Sequence, residues 1–162
     1  MIVVNIWKMK KWEAYYLGCY HRSGLRVDYE KTVDPNVKRA CKEFIFWLRS
    51  KYEFPMRIRM YVKDKKQIRA QDGSMVYGTC FLPYDRSEEP YIRIAAGYYQ
   101  EQAEKRGIDN ALASILWNIA HELSHYFQWL NNLELTPMGE ERQATNYANR
   151  ILDEYAETRD HP

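Results

Sequence analysis

Asn110-Ala111-Leu112-Ala113-Ser114-Ile115-Leu116-Trp117-Asn118-Ile119-Ala120-His121-Glu122-Leu123-Ser124-His125-Tyr126-Phe127-Gln128-Trp129-Leu130 is the stretch on which the fold turns. At ~100° per residue, Leu112, Ile115, Leu116, Ile119, Leu123, Tyr126, Phe127 and Leu130 form one apolar arc of a helix. His121 and His125 fall on the opposite side, beside Ser114, Asn118 and Gln128. Inside the helix, His121-Glu122-Leu123-Ser124-His125 reads H-E-x-x-H. Two imidazoles four residues apart share a face and can bind one Zn²⁺. The glutamate between them is then close enough to take a proton from a water on the metal. The competing reading is an ordinary polar face that happens to carry two histidines, and the helix alone does not separate the two.

A third ligand separates them, because a catalytic zinc usually has three protein ligands and one open position. No cysteine follows the motif, and the only later histidine is His161. Thr136-Pro137 has the form of an N-cap followed by proline at the first helical position. Ala144, Tyr147, Ala148, Ile151, Leu152 and Tyr155 then repeat at helical spacing. Glu140 and Glu141 lie in the first turns, on either flank of that apolar face. A carboxylate aimed at a core needs a partner such as a metal. The helix dipole alone would also attract acids there. Helical geometry does not choose between Glu140 and Glu141.

His121-Glu122-Leu123-Ser124-His125 followed by Glu141-Arg142-Gln143-Ala144-Thr145-Asn146-Tyr147-Ala148 resembles the signature of the gluzincin metallopeptidases. In that family one helix carries H-E-x-x-H and the next carries E-x-x-A, often continuing to an aromatic-Ala pair. Compact intracellular members, the minigluzincins and the phage-repressor-linked ImmA-type proteins, are the ones this chain resembles. The resemblance is specific over 109–151, loose from about residue 54, and absent from 1–33. It implies one Zn²⁺ held by His121, His125 and Glu141, with Glu122 as general base for hydrolysis of a peptide or unstructured protein. It implies an oxyanion donor on the ligand helix, for which Tyr147 and Tyr155 are the candidates. Many gluzincins place Asp or Asn four residues after the ligand glutamate to orient a zinc-bound histidine; here Thr145 stands there, with Asn146 next. The family's edge strand, which aligns substrate, would be Tyr91, Ile92, Arg93, Ile94 and Ala95, through main-chain hydrogen bonds.

The remaining pattern fits that class. Asp34-Pro35 opens a helix over 34–51 with Val37, Ala40, Cys41, Phe44, Trp47 and Leu48 inward. Residues 56–62 alternate as a half-buried strand, Asp72-Gly73 marks a hairpin over 68–80, and Tyr91–Ala95 is the last strand. A short helix over 98–106 leads through Gly107 to Asp109, the expected cap of the motif helix. The expected fold is α+β and zincin-like: a small twisted, mostly antiparallel sheet on the motif helix, followed by a ligand helix. One domain of 162 residues is expected, with 1–33 as an N-terminal extension.

Hydrophobic residues make up 46% and charged residues 28%, as in ordinary soluble proteins. No apolar run reaches membrane-spanning length, and the first seven residues are too short a run for a secretory signal. Cys19, Cys41 and Cys80 are widely spaced and lack metal-pair spacing, so a reduced cytoplasm is expected, with the thiols as small buried hydrophobes. Charge is uneven. Residues 1–70 hold 17 Lys+Arg against 7 Asp+Glu, and 71–162 hold 7 against 15. The basic half either complements the acidic half within one fold or meets an anionic partner such as nucleic acid, with Lys8, Lys10 and Lys11 as contacts. A zinc-supported regulatory protein is the other alternative to an enzyme. Oligomeric state is not encoded in any of these patterns.

Overall fold

The computed structural model describes residues 4–16 and 22–162. After a one-turn helix α1 (Glu13–Tyr16), strand β1 (Leu25–Tyr29) leads into helix α2 (Pro35–Lys51) and strand β2 (Ile58–Lys63). Asp34 caps α2, its carboxylate accepting from Asn36 N at 2.8 Å, and Pro35 enters the first turn without wasting a donor. Strands β3 (Ile68–Arg69) and β4 (Met75–Val76) form a hairpin; β5 (Gly78–Phe81) and β6 (Tyr91–Ala95) follow. Helices α3 (Tyr99–Arg106), α4 (Ile108–Leu130) and α5 (Pro137–Ala156) complete the chain.

The main sheet has the order β1-β2-β6-β5. Leu25 to Tyr29 pair in parallel with Ile58 to Val62, β2 runs parallel to β6, and only β5 is antiparallel to its neighbour. The expectation of a mostly antiparallel sheet is therefore corrected. Its source is the segment 1–33, set aside as an extension: it contains β1, and α2 is the crossover that lets β1 and β2 run the same way. The hairpin is also shorter than expected. It turns at Gly73, whose φ of 89° suits glycine, and ends at Val76, so Gly78–Phe81 joins the main sheet instead. As a result Tyr91–Ala95 is paired on both sides and is not the edge; β5 is.

Helix α4 runs through the middle. Leu116, Ile119, Ala120, Leu123, Tyr126 and Leu130 are fully buried, and the apolar arc read from the sequence is the one that meets the sheet and α2. Asp109 is not its cap. Gly107, at φ 91°, ends α3 and starts α4 directly, and Asp109 sits in the first turn, where it takes the His161 ring at 2.7 Å. Helix α5 starts as expected, with the Thr136 hydroxyl accepting from Gly139 N at 3.0 Å. The N-terminal segment adds Ile6 and Trp7 to the core, Trp7 packing on Phe127 and Tyr52 at 4.8 and 5.0 Å. Cys41 is fully buried, where desolvation pushes its thiol up to about 12, and Cys80 is half-buried; Cys19 lies outside the described residues. Among the described residues no helix is long and apolar enough to cross a membrane. Some basic residues of the first half meet acids of the second, as in Arg22–Glu89 and Lys66–Glu101.

One buried contact ties α4 to the loop before β2. The Tyr126 hydroxyl donates to Met56 O at 2.6 Å and accepts from Met56 N at 3.2 Å. Tyr126→Phe leaves both main-chain groups without that partner, so a loss of about 1–3 kcal/mol is expected. Urea unfolding checks this; an unchanged midpoint would mean water replaces the hydroxyl.

Candidate metal centre

Helix α4 presents His121 and His125 one turn apart, their rings 4.9 Å between centroids and 83° between planes. Helix α5 returns antiparallel and brings Glu141 over both. Glu141 Oε2 lies 3.2 Å from His121 Nε2, and Oε1 lies 3.0 Å from His125 Nε2. The three donor atoms all lie within 4.8 Å of one another. Of the two acids at the helix start, Glu141 is the one brought to the histidines; Glu140 instead offers its main-chain carbonyl to Gln128. The imidazoles are mostly covered, at 12% and 13% side-chain exposure, whereas Glu141 is 66% exposed and closes the group from the solvent side.

Gln128 orients His125. Its amide nitrogen donates to Glu140 O at 2.9 Å and to Gln143 Oε1 at 3.0 Å, which leaves its oxygen as the acceptor for His125 Nδ1 at 2.8 Å. With the proton held on Nδ1, a neutral ring turns a lone pair on Nε2 toward the Glu141 carboxylate. Two acceptors at 3.0 Å require a cation between them, either a proton or a metal. Protonation of His121 is opposed by burial first and then by the charge of His125, with Glu141 opposing that shift. A borderline-soft divalent cation suits a His, His, carboxylate set. The residues present fit such an ion.

Glu122 follows His121 and is 8% exposed. Burial, then the charge of Glu141, pushes its carboxyl up to about 8. Strand β5 passes directly over it: a Cβ added at Gly78 would lie 3.2 Å from Glu122 Cγ and 3.3 Å from Oε1. Gly78 is thus the residue that lets the edge strand approach the acid so closely. Trp117 stacks on His121 at 4.9 Å and is itself held by Asn149 Oδ1 at 2.8 Å. Beyond Trp117 a cavity of about 740 Å³ extends between α3, α4 and the end of α5, bordered by Tyr77, Tyr99, Asn118 and Leu152 among others.

Several expected roles do not survive the geometry. The Tyr147 hydroxyl donates to Val4 O at 3.1 Å and accepts from Ile6 N at 3.2 Å, so it fastens the N-terminal segment and is not an oxyanion donor. Tyr155 is 2% exposed, packed on Phe44 and Trp47 at 4.8 and 5.1 Å, with burial raising its hydroxyl to about 12; it belongs to the core. Neither Thr145 nor Asn146 bonds an imidazole among the described residues, and His121 Nδ1 is buried without a partner. The strand passing over the acid is β5, not Tyr91–Ala95. Gln128, Gly78 and Trp117 were the residues that motif reading passed over. Gln128 was detectable as a polar side chain three residues after His125 on the same face.

The N-terminal segment braces the two helices that carry the His121–His125–Glu141 group. Trp7 Nε1 donates to Ser124 Oγ at 3.1 Å on α4, and Tyr147 on α5 bonds Val4 and Ile6. No protein-family model, curated protein or solved structure matches this chain.

Two outcomes follow from this geometry. Gln128→Ala is expected to weaken zinc binding about 10–100-fold, read by competition with a chromogenic chelator, because His125 loses the partner that sets its tautomer. An unchanged affinity would mean other contacts hold the ring. The second concerns Glu122 in the metal-free protein. Folded, it keeps its proton up to about 8; unfolded, it releases it near ~4.3. The folded state binds more protons across that window, so this group's contribution to stability falls as pH rises through it. In EDTA, the wild-type Tm should therefore drop more from pH ~5 to ~8 than that of Glu122→Gln. The lowered His121 acts in the opposite sense in both proteins and cancels from the difference. Parallel curves would show Glu122 ionising freely.

Proposed function

We propose that this chain is a zinc-dependent metallopeptidase of compact gluzincin type. The observation that carries the reading is the placement of Glu122: buried, next to the His121–His125–Glu141 group and beneath the edge strand. His121, His125 and Glu141 would hold the ion. When bound, zinc serves as a Lewis acid that polarises a carbonyl and acidifies water.

Glu122 takes the proton from the water that attacks the scissile carbonyl carbon. It hands that proton to the amide nitrogen as the C–N bond breaks, so a carboxylic acid and an amine leave, and the acid then ionises to solvent. A carboxyl with an affinity for protons near neutrality suits both halves of that exchange. Strand β5 has β6 on one side only among the described residues, and its other edge offers main-chain N–H and C=O groups to an extended peptide. An unstructured segment is the substrate this geometry favours, since it can extend along the strand without first unfolding. The cavity beyond Trp117 provides room for a substrate side chain.

One observation favours a second reading, a zinc-supported regulatory protein with little generic peptidase activity. The Tyr147 hydroxyl is held by Val4, Tyr155 lies in the core, and His121 Nδ1 has no partner among the described residues. Hydrolysis of a quenched-fluorescent peptide library separates the two readings. The enzyme reading predicts turnover in the zinc-loaded protein and loss of at least about a hundredfold in Glu122→Gln with zinc retained. Turnover equal to wild type in that variant removes Glu122 as the base. No turnover by zinc-loaded wild type favours the regulatory reading.

A further inference from the structure

The sheet has two unlike faces. Ile58, Met60, Val62, Ile92 and Ile94 point to the helices and are fully buried. The alternate residues point the other way and are exposed or half-exposed. Register places them in rows. Arg26, Arg59, Tyr91 and Phe81 form one row across all four strands, and Asp28, Tyr61, Arg93 and Thr79 form the next. At ~4.8 Å between strands, each row is about 14 Å long.

The chemistry of this face is specific. Tyr91 stacks on Phe81 at 5.0 Å and meets Tyr61 edge-on at 6.2 Å, giving a continuous aromatic strip over β2, β6 and β5. Cations surround it: Arg26, Arg59 and Lys63 on the strands, Arg57 just before β2 and Arg22 just before β1, while Arg93 is turned to the Arg69 carbonyl of the hairpin. Arg57 is lowered by desolvation first and then by Arg26, Arg22 and Arg59, a sign of guanidiniums crowded together. The acids here are fewer. Asp28 lies 3.9 Å from Arg59, Glu30 lies 3.8 Å from Lys63, and Glu89 pairs with Arg22. The Asp28 and Glu30 pairs, exposed and at such separations, are weak. This face carries part of the basic excess of residues 1–70. Lys8 of the N-terminal segment instead lies over the Tyr52 ring.

We propose that this outer sheet face binds single-stranded nucleic acid, with phosphates on Arg26, Arg57 and Arg59 and bases against Tyr61, Tyr91 and Phe81. Positive charge alone would suit any polyanion. The aromatic strip favours unpaired bases, because every base has a face that stacks on a ring, whereas a duplex keeps those faces covered. An acidic protein segment would use the arginines and leave the rings idle.

The test is fluorescence anisotropy of the full chain with labelled oligothymidine about 12 nucleotides long, with polyglutamate as competitor. Each phosphate contributes a log–log salt slope of about 0.7, so three contacts predict a roughly twentyfold loss of affinity for a fourfold rise in salt. Arg26→Ala with Arg59→Ala should flatten that slope. Tyr91→Leu should weaken binding about fivefold or more with Tm unchanged; Phe81→Leu, on the edge strand, serves should Tyr91→Leu unfold. Glu122→Gln should bind as wild type, which keeps this site separate from the peptidase reading. Absence of binding at about 50 mM salt overturns the proposal. So does binding that ignores Tyr91 and Phe81 and is displaced equally by polyglutamate, the signature of an acidic protein partner.

Discussion

Helix α4 is buried along most of its length and yet carries Glu122, Ser124, Tyr126 and Gln128 at 8% exposure or less, beside two mostly covered imidazoles. Polar groups taken out of water must find partners or cost several kcal/mol. Much of the surrounding architecture supplies those partners. Ser124 receives the Trp7 indole, Tyr126 holds both main-chain groups of Met56, Gln128 binds the first turns of α5, and the histidines meet Glu141. Each contact docks a different part of the chain onto the same helix. The metal-type cluster is thus one member of a set of polar bonds that also sets the angle between α4 and α5.

The sheet contributes in a complementary way. Two parallel pairings, made possible by the crossover through α2, leave β5 as the one antiparallel strand at the edge nearest the motif. Gly78 then lets that edge close to van der Waals distance from Glu122. The same strands turn an aromatic and basic surface to the other side. One sheet therefore separates a buried acid beneath its edge from an arginine-bearing outer face, where part of the basic excess of the first half lies.

The helical parts were legible because each announces itself locally. The H-E-x-x-H spacing, the 3.6-residue apolar arc, Thr136-Pro137 and Asp34-Pro35 all report on neighbours within one or two turns. The choice of Glu141 over Glu140 was not legible from helix geometry and came from the E-x-x-A resemblance. Strand order failed for a physical reason: pairing partners are distant in sequence, and the five alternating residues Leu25–Tyr29 do not say which strand they will pair with. Tyr147 and Tyr155 were misread because helical spacing places a side chain on a face without saying what arrives to meet it. For Tyr147 that was the segment around Val4 and Ile6, some 140 residues away.

The central claim is that His121, His125 and Glu141 together hold one metal ion. Elemental mass spectrometry of the untagged protein, after zinc loading and desalting, tests it in wild type, Glu141→Ala and Glu140→Ala side by side. About one zinc per chain in wild type and Glu140→Ala, with most of it lost in Glu141→Ala, is the predicted result. No zinc in any of the three, or equal zinc in all, would contradict the site as built.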